Sequence, residues 1–515
     1  MGALTLVGAG RVSRVVSPTK VSAPMLHSGL AAASGAELRA LMIKLAITTL
    51  VFSAAVALYA AERPNVLFIA VDDLRPWLGC YDPKLAVSPN IDRLAKEGRR
   101  FSRHYVQVPT CGASRCALMF GRYPGRLAGD ADNNAILKNA AKQPLPALPA
   151  LFRQQGYRTV SVGKITHYPG GRGGKGWADG PEELPGAWDL ALMPSGPWKT
   201  PEGAMHGYAN GLTRQQAGKD PVKKPVSQSV AGDDRVFPDG WIADEAVKQL
   251  NELTGGGKPF FLAAGFIKPH LPFAAPASYF KATAGIGLPV PRATEKPAFP
   301  TTWHPSGEFR QYRANEGDPF REPAAAAAYR RAYLACVRYT DAQVGKLLAA
   351  LDASPAAKNT IVVLWGDHGF LLGEHAIWGK HCLFEEALHS PLVIRVPGQK
   401  MPGEAADAIA ETIDVYPTLA ALAGLPLSKE LDGRSLVPQL EDPVAASDGV
   451  AMGFWQDGVT LRTDTHRLIV SRKDPAKVEL YDHRDDPAEA VNAAAKKKGT
   501  AEELRSRLEK ILPES

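Results

Sequence analysis

Cysteine is scarce in this chain. Five among 515 residues, Cys80, Cys111, Cys116, Cys336 and Cys382, are too few to staple a protein of this size, so its stability must come from a hydrophobic core. Long apolar runs are lacking as well. The main one, residues 45–60, falls short of the roughly 20 residues a spanning helix needs. Gly (48) and Pro (42) are plentiful but show no Gly-X-Y period, which excludes a collagen-like rod and points to abundant loops. With 45% hydrophobic and 22% charged residues and a mean hydropathy of -0.15, the chain is neither disordered nor a polytopic membrane protein. No internal repeat and no long basic run is present. The formal charge of +7 is concentrated at the start, where Arg11, Arg14, Lys20, Arg39 and Lys44 face Glu37 alone. The remainder is close to neutral, so nucleic acid is not an expected partner.

Lys44 followed by the apolar residues 45–60, with small residues at Ala57, Ala60 and Ala61 and polar sequence at Glu62-Arg63-Pro64, describes a secretory signal peptide. Met42 stands where such a signal would begin, and residues 1–41 read as an over-long start or a disordered extension. The expectation is a leader at 1–61, an exported periplasmic or extracellular protein, and no stable membrane span. Of the five cysteines, Cys111 opens the run Cys-Gly-Ala-Ser-Arg. Cys80, Cys116, Cys336 and Cys382 are left for burial or pairing.

Short apolar runs rich in β-branched residues alternate with helical stretches, the pattern of an α/β fold built on a large, mostly parallel sheet. The residues at the end of each run are informative. Val66 to Val71 leads into Asp72-Asp73; Thr159-Val160-Ser161-Val162 into Gly163-Lys164 and His167; Phe260 to Phe266 into Lys268-Pro269-His270; Ile361 to Trp365 into Gly366-Asp367-His368-Gly369. Ligands of open α/β sheets bind outside the carboxyl ends of the strands, so four such endings predict one polar rim. Residues 169–235, rich in Gly, Pro and Lys, read as long surface loops that wall a cleft. A helix is expected from Ala324 toward Leu351. After about Pro443, four short runs at hairpin spacing and a charged helix from about Thr500 to Leu512 predict a small antiparallel sheet with one covering helix. The expected division is therefore 62–443 for the catalytic part and 444–515 for a small C-terminal α+β part.

Cys111-Gly112-Ala113-Ser114-Arg115 is the central motif. Alone, the pattern is met by chance, and a buried free thiol is the plainer reading. Pro109-Thr110 before it and the helix-compatible Cys116-Ala117-Leu118-Met119-Phe120 after it place the cysteine at a helix N-terminus, where backbone N–H groups favour an anion. Asp72, Asp73 and Asp367 are hard oxygen donors of the kind calcium prefers. A lone Asp-Asp pair is more often a turn or cap; together with Asp367-His368 it reads as a metal site.

These residues together resemble the type I sulfatases, in which the signature cysteine is oxidised after translation to formylglycine. Val71-Asp72-Asp73 is similar to the first metal motif of that family, Gly163-Lys164-Ile165-Thr166-His167 to its lysine–histidine pair, Trp365-Gly366-Asp367-His368-Gly369 to its second metal motif, and Trp378-Gly379-Lys380 to the following lysine. Lys268-Pro269-His270-Leu271-Pro272-Phe273, Leu372-Gly373-Glu374-His375 and the closing Glu479-Leu480-Tyr481-Asp482-His483 narrow the resemblance to enzymes like iduronate 2-sulfatase. Ala113 stands where many members carry Pro, which leaves the route of oxidation open. The resemblance implies an alkaline-phosphatase-like sulfatase fold, a calcium ion on Asp72, Asp73, Asp367, His368 and residue 111, and a formylglycine-generating or radical maturation enzyme as partner during biosynthesis.

It also implies roles. A hydroxyl of the hydrated formylglycine at 111 attacks sulfur, and Asp367 is available to accept its proton. Arg115 holds that group, Lys164 and Lys380 neutralise the sulfate oxygens, and His270 protonates the leaving sugar oxygen. His167 takes the proton of the second hydroxyl so that sulfate leaves. Lys268, Glu374 and His375 are kept outside this core as supporting or substrate-contacting groups. Trp77, Trp177 and Trp378 are divided between a sugar cleft and the interior. The expected activity is removal of an O-sulfate from a sulfated sugar or polysaccharide, a sulfated uronic acid first. The alternatives are a phosphoester or phosphonate hydrolase of the same superfamily, and a silent glycan-binding protein with unmodified Cys111.

Overall fold

The structure is a computed structural model that describes residues 63–124, 132–174, 177–218, 224–298 and 300–512. The leader expected at 1–61 lies outside the described residues. Among the described residues no helix is long and apolar enough to cross a membrane.

Eight strands form the main sheet: β1 (Asn65–Val71), β2 (Arg99–Tyr105), β3 (Arg158–Gly163), β4 (Leu190–Leu192), β5 (Phe260–Phe266), β6 (Thr360–Gly366), β7 (Leu392–Arg395) and β8 (Ala405–Glu411). Their spatial order is β8-β2-β7-β6-β1-β5-β3-β4. All neighbours run parallel except β7, which is antiparallel to both β2 and β6. The four apolar runs with polar endings are thus the four adjacent central strands β6, β1, β5 and β3. Their carboxyl ends lie side by side on one rim.

Strand β1 shows why its composition is continuous rather than alternating. Leu67, Ile69 and Val71 face one core with Ile91 and Leu94 of α1 (Pro89–Glu97), Ile242 and Leu250 of α4 (Pro238–Thr254), and Tyr333 and Val344 of α5 (Pro323–Asp352). Val66, Phe68 and Ala70 face a second core with Cys116 and Leu118 of α2 (Cys111–Phe120), Phe152 of α3 (Leu148–Gln154) and Leu419 of α6 (Val415–Leu422). Helices cover both faces, so every one of these side chains is buried, each large apolar one contributing about 1.5–3 kcal/mol. This is an alkaline-phosphatase-like sulfatase fold.

The expected C-terminal sheet is present as the meander β9 (Val450–Trp455), β10 (Gly458–Thr463), β11 (His466–Ser471) and β12 (Val478–Asp482), with α7 (Lys498–Ile511) on one face. Leu461, Leu468 and Leu480 pack on Leu504 and Leu508 of that helix. The other face turns Ala451, Ile469 and Tyr481 onto Ile377, Phe384 and Leu388. Arg467, fully buried, bonds Glu489 at 2.5 Å and Glu385, and the Phe454 N–H donates to the Gln107 carbonyl at 2.8 Å. Within 169–235, expected as loop, short elements occur: the edge strand β4, and residues Ser227–Val230 paired in parallel with Phe273–Pro276.

Candidate active site

The rim is built from strand ends and one helix start. Asp72 and Asp73 come directly after β1, and Asp367 and His368 directly after β6. The chain turns sharply at Asp73, which adopts φ +58. It is held there by its own N–H, donated to Asp367 Oδ1 at 2.9 Å, and by Tyr333 of α5, whose hydroxyl donates to the Asp73 carbonyl at 2.7 Å. Glycines at the ends of β3 and β5, Gly163 and Gly265, have a steric reason. A Cβ on Gly163 would lie 2.2 Å from the Gly265 carbonyl oxygen, and one on Gly265 would lie 2.1 Å from that of Lys164. This close approach sets Lys164 beside Asp72.

Cys111 is the first residue of α2, after the extended N-cap Thr110. Its Sγ lies 3.3 Å from His368 Nε2 and 3.5 Å from Lys380 Nζ. Lys380 also contacts Asp73 Oδ1 at 2.7 Å, and Lys164 contacts Asp72 Oδ2 at 2.5 Å. Arg115, one turn along α2, does not bond the cysteine. It donates to Asp367 Oδ2 at 2.9 Å, to Asp72 Oδ1 at 3.3 Å, and to the carbonyls of Lys164 and Ile165 at 2.6 and 3.0 Å. Its guanidinium is thus the clamp that joins the ends of β1, β3 and β6.

His270 Nε2 reaches toward Asp73 Oδ2 at 4.0 Å and pairs with Glu308 Oε1 at 3.3 Å. Its Nδ1 faces the Leu271 carbonyl at 2.7 Å. His167 is buried, stacks edge-on against Tyr168, and leaves Nδ1 without a hydrogen-bond partner. The side chains of this cluster, from Asp72 to Lys380, are buried or nearly so, and their charges act on one another with little screening.

Burial alone would push the Asp72 carboxyl up, but Lys164, His270 and Arg115 outweigh it and hold it well below the usual carboxylate range. Asp367 is pushed up by burial and by the Asp72 carboxylate beside it, against the pull of His368 and Arg115. Burial works against the charge of Lys380, yet Asp73 and Glu308 raise it well above an ordinary lysine. Lys164 is raised by Asp72 against the same penalty. The Cys111 thiol is pushed well up by burial and by Asp72. His167 is driven well below its usual range by burial and then by Lys164, so it stands as a neutral base.

Donor atoms of Asp72, Cys111, Asp367 and His368 lie within 4.8 Å of one another, as do those of Asp72, Asp73, Cys111 and His270. The residues fit a cation: three buried carboxylates converge, and Asp73 Oδ2 is buried with no hydrogen-bond partner, an arrangement a hard divalent ion would satisfy.

Lys268 and Glu374 stand apart. Lys268 Nζ donates to the carbonyls of His270 and Pro272 at 3.1 and 2.7 Å, bracing the turn that carries His270. Glu374 pairs with Arg75 at 3.0 Å, and His375 stacks on Phe384. Trp77 and Trp378 lie in the core; Trp177 is half-buried against Tyr168. All five cysteines are free, and all but half-buried Cys80 are buried. Glu308 is the site residue that sequence reasoning missed. It bonds His270 and lies 3.5 Å from Lys380, and Lys380 and then the His270 hydrogen bond hold its carboxyl well below the usual range against the effect of burial. It sits in loop sequence, Ser306-Gly307-Glu308-Phe309, without a periodic or motif signal.

A sulfatase family model matches residues 64–425, and the C-terminal model of N-sulphoglucosamine sulphohydrolase matches residues 373–514. Iduronate 2-sulfatase of Mus musculus is 32% identical over 412 residues, 73% of this chain and 71% of that protein. Two solved structures show the same fold at TM-score 0.68 and 23% identity, each over 87% of this chain. One is a complex with its substrate D-glucosamine-2-N,6-O-disulfate (98% of that chain covered); the other is the phosphonate monoester hydrolase of Agrobacterium radiobacter (96%). The chain belongs to the sulfatase family. It is an enzyme, a sulfuric ester hydrolase, of a family that generally uses formylglycine and a metal ion.

Proposed function

We propose that this enzyme removes an O-sulfate from a sulfated glycan, a 2-O-sulfated uronate being the first candidate. The observation that carries the reading is Cys111 at the start of α2, within 3.5 Å of both Lys380 and His368. The iduronate 2-sulfatase relative supplies the substrate class. Asp72, Asp73, Asp367 and His368, with residue 111, would hold calcium. That ion and a hydrated formylglycine made from Cys111 would supply an activated hydroxyl nucleophile and a Lewis acid for the sulfate. Lys164 and Lys380, held cationic by Asp72 and Asp73, place positive charge at the sulfate oxygens. His270 Nε2, oriented by Nδ1 on the Leu271 carbonyl and by Glu308, delivers a proton to the departing sugar oxygen. Neutral His167 takes a proton from residue 111 in the step that frees sulfate. Arg115 fixes the Asp72 and Asp367 carboxylates.

Residues 62–443 carry this chemistry in our reading, and 444–515 form the smaller C-terminal part. Export and a formylglycine-generating or radical maturation enzyme belong to the same proposal. The test is sulfate release from a 2-O-sulfated uronate disaccharide, with and without chelator, against Cys111→Ala, after co-expression with a formylglycine-generating enzyme. Release that requires both Cys111 and metal supports the reading; release by Cys111→Ala sinks it. A second reading, phosphonate monoester hydrolysis, is favoured by the equal fold likeness to that hydrolase. A phosphonate monoester assayed beside the disaccharide separates the two.

A further inference from the structure

Beside His270 the structure gathers polar groups that the proposed sulfate chemistry does not use. The His206 ring lies 5.1 Å from that of His270, and its Nδ1 is buried with no hydrogen-bond partner. Tyr312 is only 6% exposed, yet its hydroxyl also has no partner. A buried, unpaired hydroxyl is uncommon in a folded protein and calls for a partner to satisfy it. Two cations lie over the ring of that tyrosine, the Arg214 guanidinium and the Lys224 ammonium, each 5.1 Å from its centroid. Arg214 bonds the neutral Gln311 side chain at 2.5 Å. Neither cation has a carboxylate partner among the described residues. Burial and then the neighbouring Arg214 charge pull the Lys224 ammonium down, the strain expected of two like charges brought together without an anion between them.

The cluster is continuous with the active site. The charge of Arg214 reaches both His206 and Tyr312, and so does that of Glu308, which itself bonds His270. Two cations without a carboxylate partner, a hydroxyl without a partner and an unbonded imidazole nitrogen make a cluster richer in donors than in acceptors. Sulfate esterified to a bare alcohol would leave it unmatched. An anionic group elsewhere on the glycan would complete it.

We infer that Arg214, Lys224, the Tyr312 hydroxyl and His206 form a second anion subsite, which takes a carboxylate or a further sulfate on the same glycan while the scissile sulfate lies at residue 111. This rests on the proposed sulfatase activity and adds what selects the substrate. Such a subsite would favour polyanionic glycans over simple sulfate esters, because the second anion is bound before and during reaction.

The test compares steady-state kinetics on four sulfate esters: a 2-O-sulfated uronate–N-sulfoglucosamine disaccharide, its carboxyl-reduced form, its N-acetylated form, and 4-nitrocatechol sulfate. Arg214→Gln is expected to raise KM for the disaccharide by roughly tenfold or more, the scale of one charge-assisted hydrogen bond, and to affect the aryl ester far less. Tyr312→Phe removes only a hydroxyl that bonds nothing in the free protein; it should act in the same direction with an unchanged melting temperature. Arg214→Lys should recover part of the loss. If the carboxyl-reduced disaccharide is insensitive to Arg214→Gln, the second anion is the uronate; if the N-acetylated form is insensitive, it is the N-sulfate. Equal losses on all four substrates overturn the subsite while leaving the sulfatase reading intact. Wild-type enzyme that cleaves only the aryl ester overturns the glycan reading, and the subsite with it.

Discussion

The backbone N–H of Asp73 donates to Oδ1 of Asp367 at 2.9 Å, so the first residues beyond β1 and β6 are tied together before any ligand arrives. With Asp72 they bring three buried carboxylates together. Lys164, Lys380 and Arg115 offset part of that charge, but Asp73 Oδ2 still lacks a partner. A cation bound there should therefore stabilise the fold. A hundredfold excess of calcium over its dissociation constant is worth about 2.7 kcal/mol. We expect calcium to raise the melting temperature by a few degrees, chelator to reverse the rise, and Asp367→Asn to blunt it. A calcium response unchanged in Asp367→Asn would show that the ion binds elsewhere.

The Cys111 thiol is buried and pushed well up by burial and by Asp72. Left unmodified, it stays protonated at neutral pH and is a poor nucleophile. Activity should accordingly track the fraction of residue 111 carried as aldehyde, measured by the mass of the peptide that contains it. Cys111→Ala should lose at least roughly 10^3-fold in kcat. Full activity in a preparation whose residue 111 is all thiol would remove formylglycine from the account.

Glu308 bridges two functional side chains, with Oε1 toward His270 and Oε2 toward Lys380. It acts through them rather than on the substrate. Glu308→Gln keeps the shape and removes the charge, so Lys380 loses one of its two carboxylate partners and His270 Nε2 exchanges a charged acceptor for a weaker, neutral one. We expect kcat to fall by about 10- to 100-fold, the range for a misdirected general acid, with KM changed much less. An equal rise in KM at constant kcat would instead place Glu308 in substrate binding.

Much of this site could be read from the chain because its residues stand at the ends of β-strands. A run such as Val66 to Val71 fixes a direction, and parallel packing brings the ends of several runs to one rim, so Asp72, Lys164, His270 and Asp367 could be grouped without coordinates. The C-terminal meander was legible for the same reason, its period-2 runs being short and separated by turns. Glu308, Tyr312, Arg214 and His206 were not. They sit on irregular segments whose path is set by distant contacts, such as the Arg313 N–H on the Lys224 carbonyl, and no periodicity foretells them. Lys268 illustrates the converse. Its place in the Lys-Pro-His motif left it between a supporting role and contact with substrate, and its ammonium bonds two carbonyls of its own turn.

Glu411 ends β8 at the seam between the main sheet and the C-terminal meander. Its carboxyl accepts from Gln107 Nε2 at 3.0 Å, from the Tyr123 hydroxyl at 2.6 Å and from the Met452 N–H of β9 at 2.8 Å. Burial, with Asp414 nearby, pushes it up to about 8 from an ordinary 4.5. Between those values the folded protein holds a proton that the unfolded chain has released. Stability must then fall as pH rises through this window, by up to about 1.4 kcal/mol per pH unit, and level off above it. Asp414, pushed up to about 6 by burial, adds a smaller fall of the same sign at lower pH. Glu411→Gln removes the titration and keeps an acceptor for the Met452 N–H. The loss of melting temperature between pH 6 and pH 8 should be several degrees smaller in the variant than in the wild type. Parallel curves would mean that Glu411 is ionised in the folded protein throughout, with its three donors outweighing its burial.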